Sequence, residues 1–106
     1  MVFQVVYVVF SNFEEARKIA SNVVSAKLAA CANIFQEHQA IYEWNGEICE
    51  ASEVAVIFKT TADRYKALER EILEMHSYDE PCVLALPVQQ GAENFLQWIR
   101  LQTGQG

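Results

Sequence analysis

The side chains able to hold a soft metal or act as nucleophiles are few: Cys31, Cys49 and Cys82, with His38 and His76. The three cysteines are odd in number and none stands in a C-x-x-C, so neither a zinc clip nor a disulfide framework is legible. Free thiols fit a reducing compartment, and a cytoplasmic location is the expectation. The chain has no Gly-rich phosphate loop and no H-E-x-x-H, so nothing in it argues for an enzyme. A formal net charge of −6 argues against nucleic acid or an anionic membrane as the main partner, since both need a dense basic patch. The opening Met1-Val2-Phe3-Gln4 lacks the basic region of a signal peptide.

The elements that must position these side chains follow from the hydrophobic pattern. Val2 to Phe10 is almost wholly β-branched or aromatic and reads as a strand. Ser11 followed by Glu14 has the spacing of a capping box, and Phe13, Ala16, Ile19, Ala20, Val23 and Val24 then recur at helical intervals to about Lys27. A second strand runs from about Ala30 through Trp44 to Asn45-Gly46, the pair that favours a type I′ hairpin turn. The returning strand extends from Glu47 to about Lys59. Thr61 caps a second helix with an apolar stripe of Tyr65, Leu68, Ile72 and Met75. Cys82 to Val88 is a fourth strand, Ala92 to Leu101 a short terminal helix, and Thr103 to Gly106 a disordered tail. The whole, residues 1–106, reads as one domain of the α+β class: a ferredoxin-like β-α-β-β-α-β antiparallel sheet of order 4-1-3-2, with a long β-hairpin and a C-terminal helix.

Two features indicate that this unit does not work alone. The first and fourth strands are apolar on both faces, although two helices can cover only one. An uncovered apolar sheet face of that kind marks an interface. The arm at residues 30–44 would reach about 50 Å at roughly 3.3 Å per residue, so it must bend at a bulge or project beyond its own core. Ile41, Tyr42, Trp44 and Ile48 near its tip are too apolar for a free ribbon and are expected to anchor on a neighbouring subunit.

Several stretches then fall in a familiar order. Leu28-Ala29-Ala30-Cys31-Ala32-Asn33, Tyr42-Glu43-Trp44-Asn45-Gly46, Glu53-Val54, Lys59-Thr60-Thr61, His76-x-Tyr78, Pro81, Leu86-Pro87 and Phe95-Leu96-x-Trp98 together resemble the CutA family of divalent-cation tolerance proteins. The resemblance implies a homotrimer whose sheets face the three-fold axis, tolerance to divalent cations, and binding of copper or another divalent metal. It also draws attention to Glu53 as a cleft residue. Two positions depart from the family pattern: Ser77 stands where the family has proline, and Cys82 where it has glutamate. The second exchange replaces a hard oxygen with a soft sulfur, which favours copper(I) or zinc over magnesium or calcium.

In the expected topology Cys31 lies at one end of the sheet beside Lys59 and Thr60, while His76, Tyr78 and Cys82 lie at the other. An ammonium such as that of Lys59 next to the Cys31 thiol would make the sulfur a better nucleophile or ligand; otherwise Cys31 is a small core residue. His76, Tyr78 and Cys82, joined by Asp79 or Glu80 and a neighbour's hairpin tip, form the second candidate for a metal or ligand. The bland alternatives are His76 answering the helix dipole and Cys82 filling the core. The Asn45-Gly46 turn fixes a register in which Tyr42 faces Cys49 and His38 faces Glu53. Cys31, His76 and Cys82 are thus the candidate metal ligands, with Lys59, Tyr78 and Glu53 as candidate cleft residues. A different class of function is a trimeric small-molecule sensor of PII-like architecture with its ligand in a cleft between subunits, a reading by fold analogy.

Overall fold

Strand β1 (Phe3–Phe10), the most uniformly apolar segment, occupies an interior position in the sheet, where both of its edges find partners. The computed structural model describes residues 2–105; Met1, and Gly106 at the end of the expected disordered tail, lie outside them. The elements that follow are α1 (Phe13–Ser25), β2 (Cys31–Ile34), β3 (His38–Trp44), β4 (Glu47–Thr61), α2 (Ala62–Met75), β5 (Val83–Val88) and α3 (Glu93–Gln102). The strands lie in the order β2-β4-β1-β5, with β3 continuing the edge along β4. Every pairing is antiparallel. With β2 and β3 taken together as the expected second strand, this is the expected order.

Alternation along the strands divides the sheet into two faces. Val6, Val8 and Phe10 of β1 and Val54, Val56 and Phe58 of β4 join Ile19, Val23, Leu68 and Ile72 from the two long helices in the main core. Each such side chain stabilises the fold by roughly 1.5–3 kcal/mol. The other face has little cover: Leu84 and Leu86 of β5 remain 59% and 52% exposed.

Helix α1 starts one residue later than Ser11 and Glu14 suggest. Asn12 is the N-cap, its side-chain oxygen accepting the Glu15 N–H at 2.9 Å. Glu15 takes the reciprocal role, accepting from the Ser11 N–H and hydroxyl. The helix ends in a Schellman arrangement: the Leu28 N–H donates to Val23 and the Lys27 N–H to Val24. Lys27 occupies the left-handed position, φ 62°, that glycine usually fills. That reversal delivers the chain into β2.

The expected continuous arm is broken. Ile34 pairs with Val56 and His38 with Glu53, so residues 35–37 face only residues 54 and 55 and one extra residue bulges out. Beyond the bulge β3 and β4 project from the body, giving a molecule of 47 × 25 × 23 Å. The turn itself has the expected geometry, with positive φ at Asn45 and Gly46.

Two further expectations are corrected. Thr61 is at the start of α2 but makes no side-chain cap; its hydroxyl accepts from the Gln105 amide instead, at 2.7 Å. The tail at residues 103–105 is consequently ordered. Thr103 is fully buried, its hydroxyl donating to the Ile99 carbonyl, and the Thr103 carbonyl accepts from Arg64 Nε at 2.8 Å.

Candidate functional site

The residues that follow α2 are tied to the end of β1 and the start of α1. His76 leaves the helix in an extended conformation. Its ring stacks on Phe10 with centroids 4.9 Å apart. Nε2 lies 2.7 Å from the Val9 carbonyl, and the Tyr78 N–H donates to Nδ1 at 3.0 Å. A carbonyl only accepts, so Nε2 carries the proton and Nδ1 is the acceptor. Both nitrogens are therefore engaged with backbone, and in this arrangement His76 has none free for a metal; it positions Tyr78.

One residue on, the Ser77 N–H donates to Glu15 Oε2 at 2.8 Å. Burial alone would raise the Glu15 pKa, but the hydrogen bonds from Ser77 and Ser11 outweigh it and hold the carboxyl below its ordinary value. Nothing in the spacing Ser11–Glu14 signals this role; the Asn12-x-x-Glu15 interval would have.

So held, Tyr78 donates its hydroxyl to Glu53 Oε2 at 2.7 Å, bridging the post-helix segment and the base of the hairpin. Burial, and then the neighbouring Glu53 carboxylate, raise the Tyr78 pKa, so the phenol stays protonated and donating. Cys82 borders the same space, its carbonyl accepting from the Val9 N–H. Burial raises its thiol pKa and the Glu53 charge raises it further, so it too is protonated at neutral pH. Between the hairpin and residues 77–82 lies a cleft of about 650 Å³.

Tyr42 and Trp44 line this cleft. They share a hairpin face with Glu53 because opposite residues of an antiparallel pair point the same way. Ile48 and Ile41 alternate onto the other face, 72% and 69% exposed. The expected registers Tyr42–Cys49 and His38–Glu53 are present. Cys49 turns its thiol toward the Glu47 carbonyl, 3.7 Å away.

Cys31 is opposite Lys59, four residues along β4 from the position level with Val9, a separation of about 13 Å. The Lys59 ammonium lies over the Phe95 ring of α3, 5.6 Å from its centroid. Cys31 and Lys59 thus stand apart from the cleft that gathers Glu53, Tyr78 and Cys82. Among the described residues no group of three or more His, Cys, Asp and Glu side chains is placed to hold a metal ion.

Fold and cleft define a split β-α-β protein with a projecting hairpin that forms one wall of an edge cleft. A family model described as "CutA1 divalent ion tolerance protein" matches residues 4–102. The divalent-cation tolerance protein CutA of Archaeoglobus fulgidus is 39% identical over 94 residues, spanning 89% of this chain and 91% of that one. Human protein CutA is 41% identical over 97 residues, but the match covers only 54% of that longer protein. Among solved structures, CutA1 from Oryza sativa superimposes with a TM-score of 0.96 at 34% identity, covering 100% of this chain and 97% of that one. CutA1 from Thermus thermophilus gives 0.94 at 36% identity, covering 96% and 99%. The chain belongs to the CutA1 divalent-ion tolerance family.

Proposed function

We propose that the chain acts in divalent-cation tolerance as a homotrimer that binds a soft metal, copper above all, at the cleft of Glu53 and Cys82, with a second copy completing the coordination. The observation that carries this reading is the cleft's place beside the uncovered sheet face. Leu84 and Leu86 on that face and Ile41 and Ile48 on the hairpin need cover. A copy seated there would bring its own donors to the incomplete pair.

Thiolate and carboxylate together favour copper(I) or zinc over magnesium. The Cys82 thiol is protonated at neutral pH, so a metal must displace its proton and affinity should fall as pH falls. Light scattering at micromolar concentration, followed by copper(I) and zinc titration under reducing conditions, tests both halves. A trimer whose stoichiometric metal binding is lost in Cys82→Ser and kept in Cys31→Ser supports the reading. A monodisperse monomer, or binding indifferent to Cys82→Ser, overturns it.

A further inference from the structure

His76 can hold the segment that follows it in only one of its protonation states. We infer that His76 is a pH-sensitive switch: a proton added to its ring releases the Tyr78 backbone and, with it, the bridge from Tyr78 to Glu53. The bonds concerned all lie within one copy and need no open cleft. Use of the switch to regulate a metal cleft rests on the function proposed above; the switch itself does not.

The neutral ring sits between two backbone groups of opposite polarity. Its Nε2–H donates to the Val9 carbonyl at 2.7 Å, and its bare Nδ1 accepts the Tyr78 N–H at 3.0 Å. An imidazolium has two N–H groups and no acceptor. After protonation the Val9 carbonyl still accepts, but the Tyr78 N–H faces a second donor. Turning the ring over offers no escape, because both nitrogens then donate. The ring itself has reason to stay, since it stacks on Phe10 at 4.9 Å and an aromatic face attracts a cation. Tyr78 is therefore the partner that lets go. His76 is only half-buried, so part of it meets solvent.

The groups around the ring divide by what they do over the same pH range. From β1 come only the Val9 carbonyl and the Phe10 ring. From α1, Glu15 accepts the neighbouring Ser77 N–H and is held below its ordinary value of 4.5, so it stays ionised above that pH. On α2, Glu74 is exposed, and Arg17 and Lys18 line the groove beside Met75. After the helix, Tyr78 and Cys82 are both raised and stay protonated, while Asp79 and Glu80 lie along the cleft. The hairpin brings Glu53, bonded to the Tyr78 hydroxyl, and His38, opposite Glu53. His38 is the other of the two histidines and the competing group to be controlled, because imidazole is the side chain that changes charge between about pH 5 and 8.

The test follows imidazole NMR signals and amide hydrogen exchange in the full chain in its native assembly from about pH 8 to about pH 5, with EDTA present. Protection of the Tyr78 amide, corrected for intrinsic exchange, is expected to fall at least about tenfold, with the same midpoint as the His76 ring. His38→Gln should keep that fall. His76→Asn should abolish it, because an asparagine side-chain oxygen accepts the N–H two residues on at every pH; thermal melts verify that the variant folds. Four results overturn the switch: a His76 ring that stays neutral throughout, Tyr78 protection that stays flat while the ring charges, a fall that persists in folded His76→Asn, or one that vanishes in His38→Gln. If His76→Asn does not fold, coincidence of the two midpoints in His38→Gln decides. Because metal is excluded throughout, failure of the switch leaves the copper and zinc titration to stand or fall by itself.

Discussion

Replacing Glu15 by glutamine should loosen the cleft from a residue that does not line it. The carboxylate accepts three hydrogen bonds: the Ser11 N–H at 3.2 Å, the Ser11 hydroxyl at 3.0 Å and the Ser77 N–H at 2.8 Å. A hydrogen bond to a charged group contributes about 1.5–3 kcal/mol when buried, and solvent screening at this surface site reduces that. Glutamine keeps the size but offers one acceptor oxygen, so either Ser11 or Ser77 must face an amide N–H. The expected loss is about 1–2 kcal/mol at pH 7, or several degrees in Tm for a chain of this length.

The pH dependence gives the argument its sign. The Glu15 pKa is lowered in the folded state, so ionised Glu15 stabilises the fold above the ordinary glutamate value of 4.5. That contribution is lost as pH falls through the lower, folded-state value. The gap between the native chain and Glu15→Gln should therefore be full at pH 7 and shrink below pH 4.5. Denaturant unfolding from pH 7 to 3 measures it, and hydrogen exchange at the Ser77 and Tyr78 amides shows where the loss falls. A gap that stays constant with pH would falsify the electrostatic account. Unchanged protection at both amides in a destabilised variant would show that Glu15 does not hold the cleft segment.

Two further outcomes can be checked on the same material. Lys27→Gly should stabilise the chain by about 0.5–1 kcal/mol in denaturant unfolding, because lysine is strained at φ 62° and glycine is not; a destabilised variant would contradict the helix end described. Glu53→Gln removes the negative charge that raises the Cys82 pKa, so Cys82 should alkylate faster at pH 8 by mass spectrometry, with Cys31 as internal standard. A slower rate would place the thiol outside the reach of Glu53.

The fold was legible because its signals are short-range and mutually consistent. A β-branched run, two amphipathic stripes and Asn45-Gly46 leave few alternatives to a split β-α-β sheet. The site was legible only in part. Tyr78, Cys82 and Glu53 were identified as candidates, but the hydroxyl–carboxylate bond joining Tyr78 to Glu53 spans 25 positions and has no local signature. His76 was recognisable as chemically capable; that backbone groups take both its nitrogens depends on Val9, 67 residues away. That Asn12 and not Ser11 caps α1 has a simpler cause, since the two are adjacent and almost equally good caps.

The bulge at residues 35–37 shows what a periodic reading of a strand must miss. Even-numbered Ala32 and Ile34 pair with Phe58 and Val56 and face the helices. Even-numbered Tyr42 and Trp44 pair with Cys49 and Glu47 and face the other way, with Glu53. A strand of strict period two cannot satisfy both, because its side chains change face at every residue and never skip. The core fixes one register from below, and the Asn45-Gly46 turn fixes another from above. One supernumerary residue is the smallest defect that reconciles them. The aromatic wall of the cleft is thus a consequence of two registers that disagree by one, and the hydrophobic pattern of the arm, read alone, points those same rings at the wrong face.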